Sequence, residues 1–353
     1  MQLNKYLRAP LFLSLVVVLL AAAKTGLDPL PSPVSNNAVA SLKSGRRTLL
    51  FSLMGIGQKK TWDAITNKSY ALDTSEGAWT DVNPVPGTGR IAAVAVGAHD
   101  KVFLFGGYVV DAQGHETTVP DVNVLDLRSG RWYRGADIPV PVDDAVAGVY
   151  QDRYIYLIGG WSNNDSVRDV QVYNIEKDQW EQATPMAGNP VFGHAGGIAG
   201  NTILYIDGAH KNAAGAKPKY VSSDECWMGK ISHDDRLKIV WNKLPNHPGS
   251  ARYRIAAGAS EKDDKIYFAG GTDNPYNYDG VGYDGKRAEP SPVTFAFDMH
   301  GDKWERINSN TPDPTMDHRG LLVTSENLVI LGGMETGQTV TAKVQLLPKK
   351  TTK

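Results

Sequence analysis

VFLFGG (Val102–Gly107) returns along the chain as IYLIGG (Ile155–Gly160), ILYIDG (Ile203–Gly208), IYFAGG (Ile266–Gly271) and LVILGG (Leu328–Gly333). Most copies lead into a segment that ends in a polar turn and a tryptophan: VLDLRSGRW to Trp132, VYNIEKDQW to Trp180, FAFDMHGDKW to Trp304. Trp79 closes an earlier copy, YALDTSEGAW, and Trp241 a more divergent one, KIVW. A strand-rich unit recurring at a period of roughly 50 residues predicts the blades of a β-propeller. The repeat therefore overrides the two or three domains that 353 residues would otherwise suggest, because a propeller is one closed domain.

Each unit reads as four antiparallel strands, a to d from the axis outward. In the second unit, strand a is IAAVAVGA, b is KVFLFGG, c is VNVLDL, and d starts at Trp132. Strands a and b are almost continuous apolar runs, as expected of strands covered on both faces. With FSLMG (Phe51–Gly55) as a degenerate first copy, the b strands count out six blades of an all-β fold. The last blade has a strand c, TAKVQLL (Thr341–Leu347), and then no strand d. LDPLPSPV (Leu27–Val34) resembles the Pro-rich tails of other d strands, such as WNKLPNHPG and ADIPVPVDD. Residues 25–34 are thus expected to pair into the last blade, closing the ring and removing an open edge.

Residues 1–23 read as a signal peptide: Lys5 and Arg8, an apolar run Leu11–Leu20, and an Ala21-Ala22-Ala23 cleavage site. The expected organisation is a signal at 1–23, a propeller at 24–348 and a tail at 349–353, with a periplasmic or secreted mature protein. Its one cysteine, Cys226, can form no internal disulfide and reads as a buried small hydrophobe. A net charge of −1 speaks against nucleic acid, and after signal cleavage no membrane association is expected. The glycine pairs end strands that lead into no helix, so they are read as backbone packing and not as a phosphate cradle. The tryptophans are read as packing between blades.

If strands alternate, the a–b and c–d loops share one face and the b–c and d–a loops the other. The first set is short. The b–c loops are long, Tyr108–Val119, Trp161–Arg168, Ala209–Asp224 and Thr272–Pro292, so function is expected on their face. Residues opening strand a come nearest the axis there: Arg90, Asp143, Asp144, His194, Arg252, Arg254, His318 and Arg319. The loops add Trp62, Trp161, Asn163, His210, Lys211, Asp273, Asn274, Tyr276 and Glu335. The expectation is a cationic, aromatic-lined cup in which Arg90, Arg254 and Arg319 hold a carboxylate. Trp161, Asn274, Asp144 and His318 would add substrate contacts. The alternative for each is that it satisfies a strand end or a neighbouring blade.

No G-x-S-x-G, H-E-x-x-H or glycine-rich loop opening a helix is present, which speaks against hydrolase, zincin and dinucleotide chemistry. The histidines come from separate blades without local ligand spacing, so no metal is expected, and no cofactor either.

The Gly-Gly and Trp units resemble kelch repeats over nearly all of the chain beyond residue 23. Within that group, the PLPSPV start, FSLMGIG…YALD, GTGR leading into VFLFGG, and LGGMETGQTVTAKV are most similar to the periplasmic sialic-acid mutarotases (N-acetylneuraminate epimerases). The resemblance implies a six-bladed propeller, export, and interconversion of sialic acid anomers without a cofactor. It also implies a Gly-Glu start after strand b of the fourth blade, followed by an Arg. This chain reads DGAHKNAAGAKPKY there, with Ala209 at the Glu position. His210, His194 or Glu335 would then be the acid/base groups. Two other readings stay open: a propeller that binds glycan or protein without catalysis, and a copper-radical oxidase of the galactose-oxidase type.

Overall fold

The computed structural model describes residues 26–45, 47–308 and 310–349. The expected signal segment and tail residues 350–353 lie outside the described residues. Six antiparallel sheets follow one another along the chain as the blades of a propeller. The innermost strands a are Ala38–Ser44, Val94–Ala98, Val146–Tyr150, Ala195–Ala199, Ala256–Ser260 and Leu322–Val323. Five blades complete an a-b-c-d meander, and the sixth pairs three strands, Leu322–Val323, Asn327–Leu331 and Val344–Pro348. Among the described residues no helix is long and apolar enough to cross a membrane.

The sixth blade takes its fourth member from the N-terminal segment. Leu30 N–H donates to Ala342 O at 2.8 Å and Val34 N–H to Thr341 O at 3.2 Å, beside the start of strand c. Leu30 and Val34 are buried against Val329 and Leu331. Pro29, Pro31 and Pro33 occupy the alternate positions, so the segment bonds inward and offers no N–H on its outer edge. That alternation makes it a chain stop and not a template for another strand.

The repeated tryptophans explain how blades are fastened. Trp132 Nε1 donates to Asn83 O at 2.7 Å, Trp180 to Ala136 O at 2.8 Å and Trp304 to Pro245 O at 2.8 Å. Each acceptor lies just past strand d of the preceding blade. Trp79, in the first blade, donates to Asp28 O at 2.9 Å, so residue 28 holds the same place for the last blade. The divergent Trp241 finds no hydrogen-bond partner among the described residues and packs edge-on against Tyr205.

A second fastening lies nearer the axis. The residue that closes strand b in each blade donates its N–H to a carbonyl of the next blade: Gly55 to Arg90, Gly107 to Val142, Gly160 to Val191, Gly208 to Arg252, Gly271 to Thr315 and Gly333 to Val34. These six bonds, 2.9–3.3 Å long, run around the whole ring, and the last returns to the N-terminal segment. Gly106 shows why the pair is glycine: at φ 56° a Cβ there would strike the Val142 carbonyl.

Leu30→Ala should cost ~2–4 kcal/mol in denaturant unfolding, the usual range for emptying a buried leucine site. Removing residues 26–33 should lower the thermal midpoint further. A deletion variant that unfolds at the parental temperature would show that the segment does not close the ring.

Candidate functional site

Two residues beyond each accepting carbonyl, the backbone turns left-handed in all six blades. The residues are Asn36 (φ 57°), Ala92 (57°), Asp144 (51°), Gly193 (61°), Arg254 (50°) and Asp317 (73°). Left-handed backbone costs a side-chain-bearing residue roughly 1–2 kcal/mol, so something must hold it. What holds it is a ring of bonds about the axis. Asp144 N–H donates to Ala92 O (3.0 Å), Gly193 to Asp144 (2.9 Å), Arg254 to Gly193 (2.8 Å) and Asn36 to Asp317 (3.2 Å). His318 N–H donates to Arg254 O (3.2 Å), and Ala92 N–H to the Asn36 side-chain oxygen (2.6 Å).

This collar aims its polar side chains at one another. Arg254 donates to Asp144 Oδ2 at 2.7 Å and to Asp317 Oδ1 at 3.0 Å. Arg319 reaches Asp144 Oδ1 at 2.8 Å and Asn36 Oδ1 at 3.0 Å. Ser35, Asn36 and Tyr276 also donate to Asp317. Two arginines and two aspartates thus neutralise each other across the axis. Burial would raise the Asp144 carboxyl, but Arg254 and Arg319 outweigh it and hold it below the usual range. The collar separates two cavities of about 240 Å³ each. One is a channel walled by strands a, with Gly97, Gly148, Gly196 and Gly258 on it. The other is a cup on the face of the long b–c loops.

Cup walls come from several blades. The hairpin Tyr108–Val110/Glu116–Thr118 brings Tyr108, Glu116 and Thr118. The second long loop brings Trp161 and Asn163, the third Lys219 and Tyr220, and the fourth Asn277 and Tyr283. Asp143, Asp144, Phe192 and Arg254 form the axial side. Trp161 meets Phe192 and Tyr220 edge-on at 5.3 and 5.6 Å, and Tyr220 meets Tyr283 at 4.6 Å, so the aromatic wall is one contiguous unit. Asp143 accepts from Thr118 Oγ1 at 2.6 Å, and burial with Asp144 beside it pushes its carboxyl well up. Glu116 is open to water at the wall yet crowded by protein, which raises its carboxyl above the usual range.

The long-loop face and the aromatic lining were both expected. The cationic character was not found: Arg254 is spent on Asp144 and Asp317, leaving Lys219 as the cup-lining cation without an ion pair among the described residues. Arg90 lies outside the cup, donating to Asn123 Oδ1 at 2.9 Å and facing Asp121 at 3.4 Å. It holds the position two residues before the collar, where the carbonyl docks on a glycine and the side chain turns into the blade. His194 and His318 hold the position just after the collar and pack back against Gly208 and Gly333. His194 Nε2 donates to Ile158 O at 3.0 Å, and His318 Nε2 lies 3.0 Å from Thr315 Oγ1. His210 bonds the Lys211 carbonyl at 2.8 Å, Glu335 pairs with Lys343 at 2.7 Å and Asn274 donates to Asp284 at 3.0 Å, none of them lining the cup. Trp161, Asp144 and Arg254 line it as expected of substrate-contacting residues, and so do Asp143 and Asn163 from the wider expected cup. Ala209 is fully buried among Phe192, Tyr220 and Tyr253, an apolar setting that leaves the implied Glu without a counterpart. Among the described residues, no three His, Cys, Asp or Glu side chains are gathered to hold a metal ion.

Glu116, Lys219 and Asp317 were missed. Aligning all six strand-a openings in register would have shown Asp317 beside Asp144 and Arg254. Glu116 and Lys219 sit in loops of unequal length and carry no such signal.

Burial lowers His194 and His318 to about 4 from an ordinary value of 6.5. Between those values the unfolded chain binds protons that the native protein refuses. Stability present above pH 6.5 is therefore lost as pH falls toward 4, by up to ~3 kcal/mol per ring. Urea midpoints measured from pH 7.5 to 4 should fall for the parent and flatten in the His194→Gln/His318→Gln double variant. Parallel profiles would contradict the assignment.

A family model described as the KLHDC2/KLHL20/DRC7 Kelch-repeats domain matches residues 46–271. Kelch-like protein 15 of Danio rerio is 26% identical over 233 residues, covering 66% of this chain and 37% of the relative. Kelch-like protein terF of Aspergillus terreus is 30% identical over 184 residues, covering 51% and 38%. The matches thus span well under half of these relatives' length. N-acetylneuraminate epimerase 1 of Escherichia coli O6:H1 is 24% identical over 247 residues, covering 59% of this chain and 63% of that protein. The solved structure described as YjhT superposes with a TM-score of 0.72 at 18% identity, covering 92% and 97% of the two chains, and shares the fold. With its repeated Gly-Gly and tryptophan units assembled into blades and the family model spanning 46–271, the chain belongs to the kelch-repeat family.

Proposed function

We propose that the protein is an exported propeller that binds a carbohydrate in the loop-face cup and interconverts its anomers. The observation that carries this is the make-up of the walls: a contiguous aromatic surface, Trp161, Tyr220 and Tyr283, facing the polar groups Glu116, Asn163 and Asn277. Aromatic surfaces pack against the C–H faces of sugar rings, while carboxyl and amide groups match ring hydroxyls as donors and acceptors. The name of the E. coli relative supports a sialic acid as the first substrate to try. Its carboxylate would turn to Lys219, because Arg254 and Arg319 are already paired. Export rests on residues 1–23, and the N-terminal sequence of the mature protein, recovered outside the cytoplasm, tests it.

A second reading, a protein partner on the same face, is favoured by two exposed apolar side chains on b–c loops, Trp62 (48%) and Val281 (41%).

Titrating neutral, amino and acidic sugars, N-acetylneuraminate among them, against intrinsic fluorescence should perturb Trp161 emission. Trp161→Ala should weaken binding roughly 5- to 30-fold, the loss of an aromatic contact worth ~1–2 kcal/mol. If no sugar in the panel binds, the carbohydrate reading falls and the protein-partner reading takes its place.

A further inference from the structure

We propose that a single carboxyl group, that of Glu116, moves both protons of anomer exchange in the cup; this rests on the reading of the cup as an anomer-interconverting sugar site. The first observation is what each candidate side chain is committed to. His194 donates to Ile158 O, Glu335 pairs with Lys343, and His210 is bonded to a backbone carbonyl outside the cup. Of the carboxyls lining the cup, Asp144 is clamped by Arg254 and Arg319, and Asp143 is bonded to Thr118. Glu116 alone among them makes no side-chain hydrogen bond or ion pair within the described residues. Its backbone is fixed, paired with Val110 in the hairpin, so the free carboxyl stands on a firm wall facing the cavity.

The second observation is chemical. An anomeric carbon carries two oxygens, one in the ring and one in the hydroxyl. A neutral carboxyl carries a donor O–H and an acceptor C=O on one carbon, spaced to face both. The Glu116 proton passes to the ring oxygen as the bond from that oxygen to the anomeric carbon breaks. The hydroxyl proton passes to the other Glu116 oxygen as the carbonyl of the open chain forms. Rotation about the adjacent carbon–carbon bond presents the other carbonyl face, and the same transfers in reverse close the ring. Glu116 begins and ends as a neutral acid, and no further reactant is consumed. One group thus does what a paired acid and base would do, in a chain where Ala209 replaces the Glu that the resemblance implied.

The surroundings shift the Glu116 carboxyl toward its acid form. The protein enclosing Glu116 raises its carboxyl, Arg254 and Lys219 oppose the shift, and Asp144 and Asp279 reinforce it. Asp143 and the phenols of Tyr108, Tyr278 and Tyr283 also feel the Glu116 charge. The rate should therefore fall as pH rises through the carboxyl's titration.

Full-length parent protein, Glu116→Gln and Glu116→Asp are compared with N-acetylneuraminate and D-galactose, reading affinity by calorimetry and anomer exchange by NMR exchange spectroscopy. The parent should accelerate exchange above buffer, most at low pH. Glu116→Gln should unfold at the parental temperature and, compared at saturating sugar so that any weaker binding is removed, lose on the order of 100-fold in acceleration, with partial recovery in Glu116→Asp. A Glu116→Gln rate and pH profile equal to the parent's overturns the proposal. Parent protein that binds sugar without accelerating exchange overturns it too, while leaving the cup a carbohydrate site. Binding of neither sugar overturns both readings.

Discussion

Everything in this molecule hangs on one backbone bond repeated around the axis: the N–H that ends each strand b, given to the carbonyl two residues before the next blade's axial turn. A Cβ on the donor would strike the segment opening strand a of its own blade, and at Gly106, Gly270 and Gly332 a Cβ on the residue before it would strike the accepting carbonyl. Five of the six donors sit in or after a Gly-Gly or Asp-Gly pair, and Gly55 serves the first blade. The repeat visible in the sequence is the trace of this contact. Because every blade both gives and receives, the ring is complete only when Gly333 reaches Val34 in the N-terminal segment.

That bond also sets the site. Once a carbonyl is docked, the chain must turn sharply to start strand a, and it does so left-handed in every blade. The turn throws one side chain per blade toward the axis. Where that residue is Ala92 or Gly193 nothing projects; where it is Asn36, Asp144, Arg254 or Asp317 the side chains interlock. A buried network of this kind is expensive to break, about 3–5 kcal/mol on losing one partner, because the others stay buried without a counter-charge. Its cost in function is equally clear. Arginines committed to the collar are not available to a ligand, so the cup above it depends on loop residues for recognition.

Legibility followed regularity. Blade number, the face that bears the long loops and the closure expected of residues 25–34 could be read because each is carried by a repeated spacing or by a gap in one. Trp161, Asp144 and Arg254 were found because they hold repeat-defined positions at a strand end or opening. Arg90, His194 and His318 were misplaced by one or two residues along the same turn, and on a tight turn such a step swings the side chain from the cup into the blade. Asn274, His210 and Glu335 lie in loops, where sequence position says little about direction. Glu116 and Lys219 lie in loops as well, and only their place in space brings them into the cup.

The sequence by itself determined the all-β propeller, its closure and the face that bears the long loops and the cup, because these follow from local periodicity and from which segments lack partners. Tertiary structure decided which charges are spent and which are free. Pairing of Arg254 with Asp317 and with Asp144 joins positions 63 and 110 residues apart, a distance over which no spacing rule operates. Whether a charged group is neutralised by a neighbour or left facing a cavity depends on a few ångströms between blades, and that is settled only when the ring closes.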